Sequence, residues 1–261
     1  MSQSLALAGL LAVSLIVAGA LALAVISLRK KNAVLGQRVE RDAMELERLQ
    51  RSFARFAPAA LVEKIVSDDL RAIGERREVT VMFVDIRGFT RLSEQLDPAV
   101  VVDILNGYFR EMSRVIQSHH GHVTRLMGDG IMSVFGVLER NPWHVQDAVE
   151  AAIDMRAALA SYNERLRSRG LPALEFGVGI HCGPVVAGLV GSDELVEYTV
   201  MGDVVNVASR VEALTRQLRT DVLVTDEVRT QLGDRFRMEQ MPALAIKGKS
   251  LPIVTWAVQA S

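Results

Sequence analysis

The sequence predicts an α+β domain, a βαββαβ-type mixed sheet with helices on one side, preceded by a helical amino-terminal third. Three observations carry that expectation. Val79 to Val84 is an almost wholly apolar, β-branched run of strand length. Two longer stretches, Val101 to Ile116 and Val145 to Leu159, repeat apolar residues at helical spacing. Between them, His122 to Met127 and Ile131 to Phe135 read as two strands joined by Gly128-Asp129-Gly130, a tight hairpin turn.

The chain has 261 residues, enough for one good-sized domain and an appendage. Its formal net charge of −1 gives no broad nucleic-acid footprint, so no nucleic-acid partner is expected. Cys182 is the only cysteine, which excludes an intrachain disulfide and agrees with a reduced compartment. The five histidines, His119, His120, His122, His144 and His181, show no zinc-ligand spacing.

After a four-residue tail, Leu5 to Leu28 is 24 residues without a charge, longer than the roughly 20 that cross a bilayer as a helix. Arg29-Lys-Lys31 follows at once and orients this flank to the cytoplasm. A cleaved signal peptide would want a basic region before the apolar run and a shorter apolar core. The expectation is a single-pass anchor in the inner (plasma) membrane with the rest of the chain cytoplasmic. Residues 29–56 then read as a helical stalk. Leu35, Val39, Asp42, Leu46, Leu49, Phe53 and Phe56 step by fours and threes, a heptad seam with one polar interruption. A parallel dimeric coiled coil fits that seam; a single amphipathic helix is the simpler alternative. Pro58 ends the pattern, residues 57–78 connect, and the folded domain is expected over 79–261.

The strand at Val79 carries an acid, Asp85, at its carboxyl end. Gly88 frees the backbone to turn, and Thr90 is read as the N-cap of a helix beginning at Leu92. A cation and a phosphate could meet at such a place, the acid holding the metal and free N–H groups facing the anion. Asp97 and Pro98 open the next helix as N-cap and first residue, and Gly121 is expected to stop it. An Asp in a hairpin turn, such as Asp129, is usually there for backbone hydrogen bonding. Two strand-end acids on adjacent strands could instead bracket divalent ions. Asn141-Pro142 is expected to open the second long helix. Glu175 to His181, Val185 to Leu189 and Glu197 to Met201 read as successive strands around glycine turns, with Val222 to Thr225 and Phe236 onward completing the sheet.

Val84-Asp-Ile-Arg-Gly-Phe-Thr90, Arg125-Leu-Met-Gly-Asp-Gly-Ile-Met-Ser-Val-Phe-Gly136, Tyr198-Thr-Val-Met-Gly-Asp-Val-Val-Asn-Val-Ala-Ser-Arg210 and Lys247-Gly-Lys-Ser250 occur in this order. Together they resemble the class III nucleotidyl cyclases, the adenylate and guanylate cyclase catalytic domains, over roughly residues 53 to 258. The resemblance implies a ferredoxin-like catalytic domain. It implies that Asp85 and Asp129, with the Ile86 carbonyl, hold two Mg²⁺ or Mn²⁺ ions. The backbone at Gly88, Phe89 and Thr90 would receive phosphate oxygens, Asn206 would orient the ribose, and Arg210 would neutralise the α-phosphoryl group. Lys247 would contact the terminal phosphates, with Lys249 as the alternative. Asn206 and Arg210 stand four apart, on one helix face.

In the family, Arg125 and Thr199 occupy the positions that read the base. An Arg offers only donors, which suits adenine N1, although its fork can also bind guanine O6 and N7. The resemblance, taken with the apolar run 5–28 and the donors of Arg125, implies a membrane-anchored adenylate cyclase taking ATP, with a guanylate cyclase as the alternative and a silent cyclase-like regulatory or dimerisation module as a third. It also implies a head-to-tail homodimer with two shared sites. One subunit would supply Asp85 and Asp129, and the other Arg125, Thr199, Asn206 and Arg210.

Overall fold

The computed structural model describes residues 29–32, 35–41, 43–45, 47–48, 74–192, 196–246 and 251–259. The chain divides into two compact units, residues 1–63 and 64–261. In the first, the described residues between 29 and 48 are helical and exposed, Leu35 and Val39 among them. The apolar run 5–28 and the seam positions Asp42, Leu46, Leu49, Phe53 and Phe56 lie outside the described residues. Among the described residues no helix is long and apolar enough to cross a membrane.

The second unit holds one mixed sheet. In chain order come β1 (Glu75–Ile86), α1 (Phe89–Gln95), α2 (Pro98–Ser118), β2 (Gly121–Met127), β3 (Gly130–Phe135), α3 (His144–Ser168) and β4 (Phe176–Gly191). Then follow β5 (Val196–Met201), α4 (Asp203–Leu218), β6 (Val222–Thr225), α5 (Asp226–Leu232), β7 (Met238–Gln240) and β8 (Thr255–Val258). The strand order is β2-β3-β1-β4-β6-β8-β7, with β5 paired to β4. The first four strands are antiparallel neighbours, and β6 runs parallel to β4. This is the expected βαββαβ core, extended on one edge.

β1 is central because both its edges are paired. It bonds β4 along its whole length, from Glu75 opposite Ala187 to Ile86 opposite Phe176, and β3 from Thr80 to Val84. Met82, Val84 and Ile86 enter the larger core with α2 and α3. α2 presents Ile104, Tyr108, Met112 and Ile116 to it, a stripe with a step of four and no exposure. Ile104, Met112 and Ile116 each contribute about 1.5–3 kcal/mol by leaving water. The Tyr162 hydroxyl donates to the Ile104 carbonyl at 2.8 Å and ties α3 to α2.

Helices cover both faces of the sheet, not one. α4 packs through Val207, Val211 and Leu214 against Leu223 and Ala257, a second core. Leu223 alternates with Val222 and Val224, which belong to the first core, so α4 lies on the opposite face. The reason is visible in β1, where Val79 and Val81 are as buried as Met82 and Val84. A strand apolar at both parities needs a cover on both sides.

Local boundaries differ from expectation in four places. α1 starts at Phe89 with Gly88 as its cap in the left-handed region, and Thr90 already lies within the helix. α2 does open on Asp97, whose carboxylate accepts from the Ala99 N–H at 2.8 Å. It is His120, at φ 58°, that breaks it, while Gly121 is already in β2. Asn141 accepts from the Trp143 N–H at 2.9 Å and so prepares α3 without capping it, because the helix begins at His144. Finally, β4 runs unbroken for 16 residues through Gly183, which continues the strand at φ 154° and makes no turn.

Two glycines of β4 set the height of α4. A Cβ on Gly179 would lie 2.1 Å from the Glu212 nitrogen and 2.6 Å from the Ala208 carbonyl oxygen. One on Gly177 would meet the Thr215 hydroxyl at 2.3 Å. The helix therefore rests on bare backbone. Gly179→Ala is expected to cost at least about 2–3 kcal/mol, because rigid main chain cannot yield to the added methyl. Urea unfolding of residues 64–261 measures this, and an unchanged midpoint would contradict the close approach.

Candidate active site

β1 delivers Asp85 to the tip of the β2/β3 hairpin. The register sets Val84 opposite Ile131 and Met127 opposite Gly130, leaving Gly128 and Asp129 as the two-residue turn. Gly128 makes that turn at φ 64°. A Cβ on Gly130 would sit 3.4 Å from an Asp85 carboxylate oxygen, so the turn closes against the acid. Asp85 and Asp129 lie within hydrogen-bonding reach. Burial first, and the Asp129 charge second, push Asp85 above the usual carboxylate range, while Arg216 and the Ile86 N–H pull it down.

Two carboxylates held this close repel, and a divalent cation between them removes the repulsion. Among the described residues no group of three or more His, Cys, Asp or Glu side chains could hold an ion. The donor set is two carboxylates with a neighbouring carbonyl at Ile86, which fits Mg²⁺ or Mn²⁺ completed by substrate oxygens and water. Next to it, α1 begins with no side-chain cap. Its Leu92 N–H bonds back to the Gly88 carbonyl at 3.2 Å, so the N–H groups of Phe89 and Thr90 have no acceptor within the helix.

Four polar residues that sequence reasoning did not single out lie around Asp85. Asp85, Arg87, Glu212, Thr215 and Arg216 line a cleft of about 220 Å³. Arg87 reaches the carbonyl oxygens of Thr220 and, at 3.5 Å, Thr215, clasping the end of α4. Burial, then Asp85, push the Glu212 carboxyl up to about 7, against Arg216 and Arg87. Tyr108 is fully buried beneath, its hydroxyl without a partner. Burial and the charges of Asp85, Asp129 and Glu212 hold that phenol well above its usual range. Glu212 and Arg216 had a signal in the sequence: they are four apart on α4, as Asn206 and Arg210 are.

Those two pairs face different ways. Asn206 and Glu212 are six residues apart, which turns the second pair by roughly 120° around the helix. Arg216 is among the charges acting on Asp85, and Arg210 is not. The structure thus brings Asp85, Ile86, Asp129, Gly88, Phe89 and Thr90 together, and directs Asn206 and Arg210 elsewhere. Lys247 and Lys249 lie outside the described residues.

Arg125 reaches β5, the strand that carries Thr199, at a third place. Arg125 donates to Glu197 through Nε at 3.0 Å and Nη2 at 2.5 Å, a bidentate pair. Glu197 and Thr199 share a face of β5, being two apart. Along β4 the rungs of Arg125 and Glu197 are eleven residues apart, at Gly179 and Val190. A flat ladder would separate them by about 36 Å. Their contact therefore requires the sheet to coil strongly.

The raised Glu212 has a sign. Between pH 4.5 and about 7 the native chain holds a proton that the unfolded chain has released, so stability falls as pH rises through that window. Glu212→Gln is expected to flatten this slope. In metal-free buffer at pH 8 it should raise stability by about 1–2 kcal/mol, a figure reduced because the carboxyl keeps some solvent contact. Melts of both proteins across pH check it, and parallel slopes would contradict the burial of that acid.

Residues 72–260 match the family model described as the adenylate and guanylate cyclase catalytic domain. An adenylate cyclase of Anabaena cylindrica is 34% identical over 227 residues, 83% of this chain and 44% of the relative. The chain thus spans less than half the length of that curated relative. Among solved structures, the guanylyl cyclase Cya2 is 36% identical with a TM-score of 0.68, covering 72% of this chain and 94% of that one. The adenylyl cyclase CyaB from P. aeruginosa is 31% identical with a TM-score of 0.68, covering 72% and 96%. With four motifs in order, Asp85 at the end of β1 beside Asp129 in the β2/β3 turn, and a family match across the whole sheet, the chain belongs to the class III adenylate and guanylate cyclases.

Proposed function

We propose that this chain is a membrane-anchored adenylate cyclase that converts ATP to 3′,5′-cyclic AMP and pyrophosphate at sites shared by a head-to-tail homodimer. The observation that carries the reading is the split of α4. Glu212 and Arg216 face the acids of their own chain, whereas Asn206 and Arg210 point away from them. A second copy is then needed to bring an Asn206/Arg210 pair to each pair of acids.

In such a site Asp85, Asp129 and the Ile86 carbonyl would hold the divalent ions. When bound, these ions supply the Lewis acidity that lowers the pKa of the ribose 3′-hydroxyl and offsets triphosphate charge. The 3′-oxygen attacks the α-phosphorus, the bond to the β-phosphate oxygen breaks, and pyrophosphate leaves with its electron pair. The hydroxyl proton passes to solvent. The open N–H groups of Phe89 and Thr90 receive phosphate oxygens, with Gly88 admitting the backbone close to them. Asn206 of the second copy fixes the ribose. Arg210 forks onto the α-phosphoryl oxygens, where charge grows most. Lys247 or Lys249 would meet the terminal phosphates.

The apolar run 5–28 with its basic flank supports an anchor in the inner membrane and a cytoplasmic catalytic unit. The exposed, four-spaced Leu35 and Val39 support pairing of the stalk. Anchor and stalk would hold two catalytic units at high local concentration. ATP is favoured by the donors of Arg125 and by the adenylate cyclases among the relatives. GTP is the second reading, favoured by the likeness to Cya2. A silent module would be expected to lack a metal acid or the phosphoryl arginine, and this chain has both.

The test is cyclic nucleotide formation by the full chain in membranes, with Mn²⁺ and with ATP and GTP in competition. Cyclic AMP in excess, lost in Asp85→Ala, is the expected result. Arg210→Ala should lower kcat by about 10²–10³ with little change in KM, since its contact belongs to the transition state. Cyclic GMP in excess would overturn the substrate assignment, and no product from either would overturn the reading as an enzyme.

A further inference from the structure

In the cyclase reading proposed above, Arg125 and Thr199 stand where the base would be read, and the polarity there must match the purine. Across its Watson–Crick edge adenine offers a donor at position 6 and an acceptor at N1. Guanine reverses both, with an acceptor at position 6 and a donor at N1. A single arginine, which can only donate, reads neither edge completely. It matches N1 of adenine and leaves the 6-amino group without an acceptor.

The structure supplies the missing half. Glu197 holds the Nε and Nη2 side of Arg125 at 3.0 and 2.5 Å, so the guanidinium plane is fixed and its Nη1 edge stays free. A carboxylate has about four lone-pair positions, and two hydrogen bonds from Arg125 leave acceptor capacity beside that free edge. Thr199, two residues along the same face of β5, stands next to the pair. Both side chains of the pair remain partly open to solvent, at 46% and 42%, so a ligand can reach them. An isolated surface ion pair would contribute little to stability. This one joins the second strand of the domain to a strand that a flat sheet would hold far away.

We infer that Glu197 is a specificity-determining residue of the cyclase site, acting with Arg125 as one donor–acceptor unit in which Arg125 donates to adenine N1 and Glu197 accepts from the 6-amino group. This inference rests on the cyclase reading proposed above. Loss of Glu197 leaves a corner that can only donate: it still matches adenine N1 but leaves the 6-amino group unpaired, while the O6 and N7 acceptors of guanine can both be met.

The experiment measures kcat/KM for ATP, GTP and purine riboside triphosphate, which lacks the 6-amino group, with the full chain in membranes. Wild type is compared with Glu197→Gln, Glu197→Ala, Arg125→Ala and the double variant. The expected result is a fall of at least about tenfold in the ATP-to-GTP ratio for both Glu197 variants, the effect of leaving a substrate donor unpaired. Discrimination between ATP and purine riboside triphosphate should shrink in parallel, and the double variant should be no less selective than Arg125→Ala alone. Equal losses on all three triphosphates would show a structural role and overturn the inference, as would a ratio that stays constant or moves toward ATP. Binding of 3′-deoxy-ATP against 3′-deoxy-GTP, which lack the attacking hydroxyl, separates this from failure of the enzymatic reading. If wild type makes no product, that reading falls. A binding ratio that shifts in Glu197→Ala still upholds the base-reading pair, and one that does not shift overturns it.

Discussion

The catalytic unit depends on how closely α4 lies on β4. Gly177 and Gly179 remove the side chains that would separate them, and Arg87 clasps the helix end through the Thr215 and Thr220 carbonyls. The helix is thereby fixed to the strand pair that carries Asp85. Its height decides how near Glu212 and Arg216 come to the acids, and its rotation decides where Asn206 and Arg210 point. One packing contact thus sets both the local electrostatics of the chain's own acids and the direction of the groups offered to a second copy.

The acids show what this arrangement demands. Asp85 is raised by burial and by Asp129, Glu212 by burial and by Asp85, and the Tyr108 phenol by burial and all three. Each of these groups resists carrying more negative charge. Arg216 and Arg87 offset part of that burden without cancelling it. A site so starved of positive charge is suited to divalent ions and poorly suited to a bare triphosphate. Arg210, the arginine proposed to meet the α-phosphoryl group, is not among the charges acting on Asp85, so it could add its charge to another copy's site without collapsing onto its own.

Much of this was legible in the sequence, for physical reasons that differ by residue. Asp85 and Asp129 sit at a strand end and a two-residue turn, where local chemistry fixes the backbone, and the fold places them as the spacing suggested. Asp97 and Pro98 cap α2 as such a pair should. Elsewhere tertiary context prevailed over local signals. Gly183 reads as a turn, yet β4 runs through it because β1 pairs with β4 on both sides of that point. Thr90 is a good cap by type, but Gly88 already provides the left-handed residue that starts α1. The one-sided placement of helices conflicted with the strand at Val79, which is apolar at both parities and so required a cover on each face. Tyr108 and Glu197 left little trace, because one is defined by what it lacks and the other by a contact made only when the sheet coils.

The central claim is that each site is assembled from two copies, and complementation tests it most directly. Asp85→Ala and Arg210→Ala chains, each expected to retain less than about one per cent of wild-type activity alone, are co-expressed in equal amounts in one membrane and assayed for cyclic nucleotide. Random pairing makes half the dimers mixed, and each mixed dimer has one intact site, so about a quarter of wild-type activity should return. Activity that stays at the level of the single variants would place the acids and the arginine in the same chain's site and contradict the account.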